Sequence, residues 1–213
     1  MLRARFWTPI LTLLWATPFT WGAKEFSMPK VQPAFSYPAH DLHRSEDVTV
    51  ALDPYDTPEK SAIFIVHYRD LDLLPVMLII TNDSDQPVQL SEMKAQLVTA
   101  DRSKLSPATE DDLYRRISHP TATASRSPIP FPTKKVKGTD LKQLNEIVSA
   151  QFKARAVEPR STQAGFLFFD VSGISNVLRG AQFYLTGARD SAGNELMYFE
   201  VSLDKYLDAN QAK

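Results

Sequence analysis

Leu73–Ile80 reads LLPVMLII, a nearly unbroken apolar run of the kind that fills a strand covered on both faces. Pro75 has to sit near its start, because proline has no N–H to give an interior ladder. Shorter patterns flank it. Val48, Val50 and Leu52 recur at period two and predict a half-buried strand. Ile63, Ile65 and His67 alternate with Phe64, Val66 and Tyr68, predicting a strand that is apolar on both faces near its middle. Asn82–Pro87 (NDSDQP) is a tight-turn sequence, so Val88–Ala100 should fold back on 73–80 as a hairpin, long enough to hold a bulge. Later, Phe166–Val171 (FLFFDV) predicts an aromatic strand ended by Gly173. Gln182–Ala188 and Leu196–Leu203 flank Asp190–Asn194 (DSAGN), a second hairpin with its glycine at positive φ.

The pattern changes between these groups. Ser106-Pro107, the acids Glu110, Asp111 and Asp112, then Arg115 and Arg116 predict a short helix to about Ile117. Residues 118–137 carry Pro120, Pro128, Pro130 and Pro132, four basic residues and no acid, which predicts a mobile loop. Thr139 is placed to cap a second helix, in which Leu141, Leu144, Val148 and Phe152 form one stripe that needs an apolar surface to lie on. Residues 23–46, with Pro29, Pro33 and Pro38, predict an extended arm, and 205–213 a tail.

Seven strands, four before the helical stretch and three after, predict a mostly β fold: an immunoglobulin-like antiparallel β-sandwich over 47–204, with a two-helix insertion at 106–158. Leu78–Val88 (LIITNDSDQPV) and Ala164–Phe169 (AGFLFF) resemble segments of bacterial exported immunoglobulin-like domains. That resemblance implies the fold and an envelope location, and it brings no active site with it.

The N-terminus points the same way. Arg3 and Arg5 precede the apolar stretch Phe6–Ala16, too short to span a bilayer comfortably and interrupted by Pro9. Thr20 and Gly22 have the small-residue spacing of a cleavage site, so 1–22 reads as a signal peptide and the mature chain as periplasmic or secreted, without a transmembrane segment. Trp7, Trp15 and Trp21 all lie in that segment, so the mature protein should contain no tryptophan. Removing Arg3 and Arg5 turns 24 basic and 25 acidic residues into 22 and 25, a net charge of −3. A mildly acidic chain is a poor nucleic-acid binder. With no cysteine, thiolate metal sites, cysteine nucleophiles and disulfides are excluded.

Candidate chemistry is sparse. Asp53, Asp56, Asp101 and Asp190 sit in or beside inter-strand turns, and a hard cation needs several carboxylate oxygens in one place. The competing role of aspartate in a turn is to bond its own backbone, and no calcium-loop spacing occurs. His40 and His43 have zinc-compatible spacing only if the arm is helical. Lys134, Lys135 and Lys137, beside Phe131, could contact an anionic surface. Asn82-Asp83-Ser84 matches a glycosylation sequon. No nucleophile motif appears and no cofactor is implied. The expected role is therefore a non-enzymatic module that binds a protein or envelope component, with a carbohydrate-binding accessory domain or a chaperone-like strand donor as the alternatives.

Overall fold

The computed structural model describes residues 25–118 and 140–211. The expected signal peptide lies outside them, as do Lys134, Lys135 and Lys137. Among the described residues the fold is mostly β and its ladders are antiparallel. One sheet orders β1 (Ala39–His43), β2 (Val48–Pro54), β3 (Leu73–Asn82) and β8 (Ser161–Asp170) as β1-β2-β3-β8. A second orders β5 (Lys94–Val98), β6 (Lys104–Leu105), β9 (Gln182–Thr186) and β10 (Phe199–Ser202) as β10-β9-β5-β6. A two-residue pair joins β4 (Val88–Gln89) to β7 (Ala156–Val157). The helices are α1 (Pro58–Ser61), α2 (Glu110–Ser118), α3 (Leu141–Ala150) and α4 (Asp204–Gln211).

The inner faces of the two large sheets share one core. Val50, Leu52, Val76, Leu78 and Ile80 contribute from the first sheet, and Leu97, Phe183, Leu185, Phe199 and Val201 from the second. The pleat sends the alternate residues Ala51, Met77, Ile79, Phe166 and Phe168 to the other face of the first sheet. A second core forms there under Phe26, Ala34, Phe64, Val66, Tyr68, Leu113, Ile147 and Ala150. Three layers result, and all ten residues of β3 are buried, as its apolar run requires.

Several sequence expectations change. Residues 63–68 are not a strand, although their alternation is real: Phe64, Val66 and Tyr68 are buried. The Ile65 and Val66 N–H groups are satisfied by the Glu146 side chain, so period-two burial occurs without a ladder. The Asn82–Pro87 turn closes no hairpin, since β3 pairs with β2 and β8 while β4 pairs with β7. Asn82 is fully buried; its amide nitrogen bonds the Gln86 and Val157 carbonyls, and its oxygen accepts from the Ser84 N–H. Those bonds steer the chain out of the first sheet. The stretch 88–100 breaks into β4 and β5, and the last strand begins at Phe199 rather than Leu196. It does pair antiparallel with β9 as expected, and Gly193 has φ +88°.

The arm is not free. Residues 26–37 pack into the second core, with Phe26 stacked on Phe64 at 5.6 Å, and 39–43 form an edge strand. The tail 205–213 is largely helix α4, with Tyr206 buried. The insertion helices start later than expected. Thr109 caps α2 through the Asp112 N–H, because Pro107 and Ala108 are engaged along β8. Asp140, in a capping box with Gln143, caps α3. The stripe on α3 is also rotated: Glu146, Ile147 and Ala150 are buried, while Leu141 and Val148 are exposed.

Candidate functional site

Carboxylates and a lysine meet where β2 leads into α1. Thr57 accepts the Lys60 N–H and Pro58 opens the helix, which aims Lys60 back at β2. Lys60 Nζ lies 2.5 Å from Asp53 Oδ1, 3.0 Å from the Pro54 carbonyl oxygen and 4.5 Å from the Tyr206 ring centre. The Tyr206 hydroxyl donates to Asp56 at 2.6 Å, so α4 is tied into the same cluster. Burial and then the Asp56 carboxylate push the Tyr206 pKa up, and burial with the Asp53 charge pushes Tyr55 up to about 12. Two of the four candidate cation ligands thus share one cluster, Asp53 paired with the Lys60 ammonium and Asp56 with the Tyr206 hydroxyl. Asp101 and Asp190 are elsewhere. Asp101 accepts from Thr99 and Ser103 in the β5–β6 turn, and Asp190 from Asn194 in the β9–β10 loop, bonds that hold both carboxyls below the ordinary carboxylate range.

Beside the Lys60 cluster lies a cleft of about 1100 Å³, bounded by residues 55–75, the loop 171–179 and Leu207. Its wall is apolar, with Phe64, Val66, Leu74 and Leu178, and its rim carries His67, Arg69, Asp70, Asp72 and Arg179. Arg69 and Arg179 form no ion pair among the described residues. Ser61 is spent inside the fold, donating to the Tyr55 carbonyl at 2.9 Å. The loops on both sides are set by left-handed residues, Asp72 at φ 54° and Asn176 at φ 54°.

The insertion holds this wall in place. Glu146, 1% exposed on α3, accepts from the Ile65 N–H and, at 3.1 Å, from the Val66 N–H. Its charge, after burial itself, pushes the pKa of the adjacent Tyr68 up. On α2, Arg116 donates to the Leu71 carbonyl at 2.7 Å and pairs with Asp170. Partial burial raises the Asp170 pKa, but bonds from Ser172 and the Arg116 charge outweigh it, and the net direction is down. Sequence patterning missed Glu146, an acid between Asn145 and Ile147 whose only signal is its place on the same face as Ile147 and Ala150.

The two candidate zinc histidines, His40 and His43, are engaged elsewhere. His40 Nδ1 meets the Tyr37 carbonyl at 2.6 Å, and His43 lies between Asp41 and Glu46, so the two do not converge as zinc ligands. The Asn82 sequon side chain is buried and bonded, out of reach of any glycosylating enzyme in the folded protein.

No protein-family model matches the chain, and no curated protein does. Among solved structures, the X-ray structure of Northeast Structural Genomics Consortium target SoR45 is similar at 11% identity, over 73% of this chain and 86% of that one, with a TM-score of 0.30. A likeness that low decides neither fold nor ligand.

Proposed function

We propose that this chain is an exported, non-catalytic binding module of the bacterial cell envelope, an immunoglobulin-like sandwich that receives its partner in the cleft between residues 55–75 and 171–179. Strand connectivity supports the fold. The orders β2-β3-β8 and β10-β9-β5 match the A-B-E and G-F-C arrangements of that architecture. β6 then stands beside strand C, β1 is an added outer strand, and the 106–158 insertion occupies the chain between C and E where strand D would lie. Arg3 and Arg5, the apolar stretch 6–16 and the small residues Thr20 and Gly22, in the order of a signal peptide, support export.

The observation that carries the binding role is an apolar wall rimmed by Arg69 and Arg179, which form no ion pair among the described residues, in a cleft whose Ser61 is already bonded to backbone. The alternatives fare worse. Tyr55, Tyr68 and Tyr206 are buried, and the more exposed pair Tyr184 and Tyr198 is tilted by 45°, a poor sugar platform. A strand donor needs a long uncovered edge, whereas the outer edge of β8 is occupied by Pro107–Ala108 and Gln151–Phe152.

Cell fractionation with intact-mass analysis tests export: the expected product is an envelope-fraction protein that begins near Ala23 and lacks tryptophan absorbance. A full-length, tryptophan-containing chain in the cytoplasm overturns it. For the cleft, a folded Arg69→Glu/Arg179→Glu variant should lose the partner that the native protein retains, and undiminished retention rejects the assignment.

A further inference from the structure

We infer that Asp41, His43 and Glu46 form a proton-dependent clasp that fastens the edge of β10 to β1. These two strands are edges of different sheets, and among the described residues β1 ladders only with β2 while β10 ladders only with β9. Side chains close the seam instead. Glu46 Oε1 accepts the Met197 N–H at 3.0 Å, and Asp41 Oδ2 accepts the Glu200 N–H at 2.9 Å. His43 bridges the two acids: Nδ1 is 3.0 Å from Glu46 Oε2 and Nε2 is 3.2 Å from Asp41 Oδ2. Its ring lies flat on Phe199, with centroids 4.0 Å apart and planes at 14°. That stack fixes the direction in which both nitrogens point.

The chemistry is asymmetric in protons. Neutral imidazole has one N–H and one lone pair, while imidazolium alone has two N–H donors. Only the protonated ring can bond both carboxylates in this geometry. In the neutral ring one nitrogen lone pair opposes a carboxylate, which has to turn away from the ring and from the β10 N–H it caps. The charged groups around the ring are few. Besides its two partners, Arg44 and Asp47 occupy the β1–β2 turn. Glu200 on β10 holds the Tyr184 hydroxyl of β9 at 3.0 Å, and Lys205 on α4 reaches the His40 carbonyl at 3.2 Å. The β2 residues that pair with β1, Val48–Leu52, bring no ionisable side chain. Of the side-chain types that meet at this seam, imidazole is the one that generally changes charge near neutral pH, so the clasp is tested there.

Amide hydrogen exchange of the mature protein, followed by NMR from about pH 5 to about pH 8 and corrected for intrinsic exchange, tests this. The Met197 and Glu200 protection factors should fall on the order of tenfold as pH rises, the loss of one charge-assisted bond, while those of Leu78 and Ile79 hold. In His43→Gln both should stay at the low value throughout. The ring ¹⁵N shifts of His43 in the native protein give a measurement that needs no variant: both nitrogens should carry protons in the closed state, and the change should track the two amides. Constant protection across the range, an unaltered pH response in His43→Gln, or a ring with one N–H throughout overturns the clasp.

Discussion

Replacing Glu146 with glutamine keeps the shape of the side chain and removes one acceptor. In the native protein its carboxyl oxygens accept from two consecutive backbone N–H groups, Ile65 and Val66, at a position 1% exposed. Glutamine offers one oxygen to this pair and turns an NH₂ towards the other N–H. One buried donor is then left unsatisfied, which costs about 1–3 kcal/mol. Alanine leaves both donors without this acceptor and opens a gap, so it should cost about 2–6 kcal/mol, a large part of the 5–15 kcal/mol that typically holds a domain together. Because the two amides belong to the segment that walls the cleft, the first effect should be local. Hydrogen exchange at Ile65 and Val66 should accelerate in Glu146→Gln before the urea midpoint, followed by far-UV circular dichroism, moves substantially. A variant with native protection at both amides and an unchanged midpoint would refute the claim that this carboxylate ties the insertion to the cleft.

Other consequences follow from single contacts. A Cβ added at Gly165 would meet Phe152 Cα at 2.4 Å and Phe152 N at 2.7 Å, so Gly165→Ala should push the 151–152 segment off β8 and lower stability by about 1–3 kcal/mol in urea unfolding. Asn82→Asp replaces a buried donor facing the Gln86 and Val157 carbonyls with an acceptor and should cost about 3 kcal/mol or more; a stable variant contradicts the network. The Asp170 pKa is lowered in the fold, so its pairing with Arg116 stabilises the protein above the unfolded carboxyl value near 3.9. That contribution should vanish as pH falls through the lower folded value, and Arg116→Ala should flatten the acid limb of a stability–pH curve. An identical acid limb in both proteins would show that the pair adds nothing.

What was legible in the sequence was burial; what was not was the partner of each buried group. The run Leu73–Ile80 announced a strand covered on both sides, and β3 is one. The alternation at 63–68 marks burial without a ladder, because the acceptor for its N–H groups sits about eighty residues away on a helix. The α3 stripe failed for a related reason. Leu141, Leu144 and Val148 make the better apolar pattern, yet the helix turns its Glu146 face inward to meet two backbone donors. At Asn82–Pro87 the turn chemistry was visible, but the side-chain bonds of Asn82 to Val157 send the chain away from a hairpin. The Asp candidates behave as turn residues do, Asp101 and Asp190 within their own loops, while Asp53 was paired to a lysine that periodicity could not place. The cleft itself combines segments about a hundred residues apart, Phe64–Leu74 and Val171–Arg179, and no local pattern joins them.

Site-directed photo-cross-linking in intact cells tests the binding role most directly. A photoreactive residue at Arg69 or Ile174, on the two sides of the cleft, is compared with one at Gln96 on β5, outside the cleft-lining segments. Adducts of one defined mass from the first two positions and none from the third are the predicted result. Adducts from Gln96 alone, or none from Arg69 and Ile174, would contradict it.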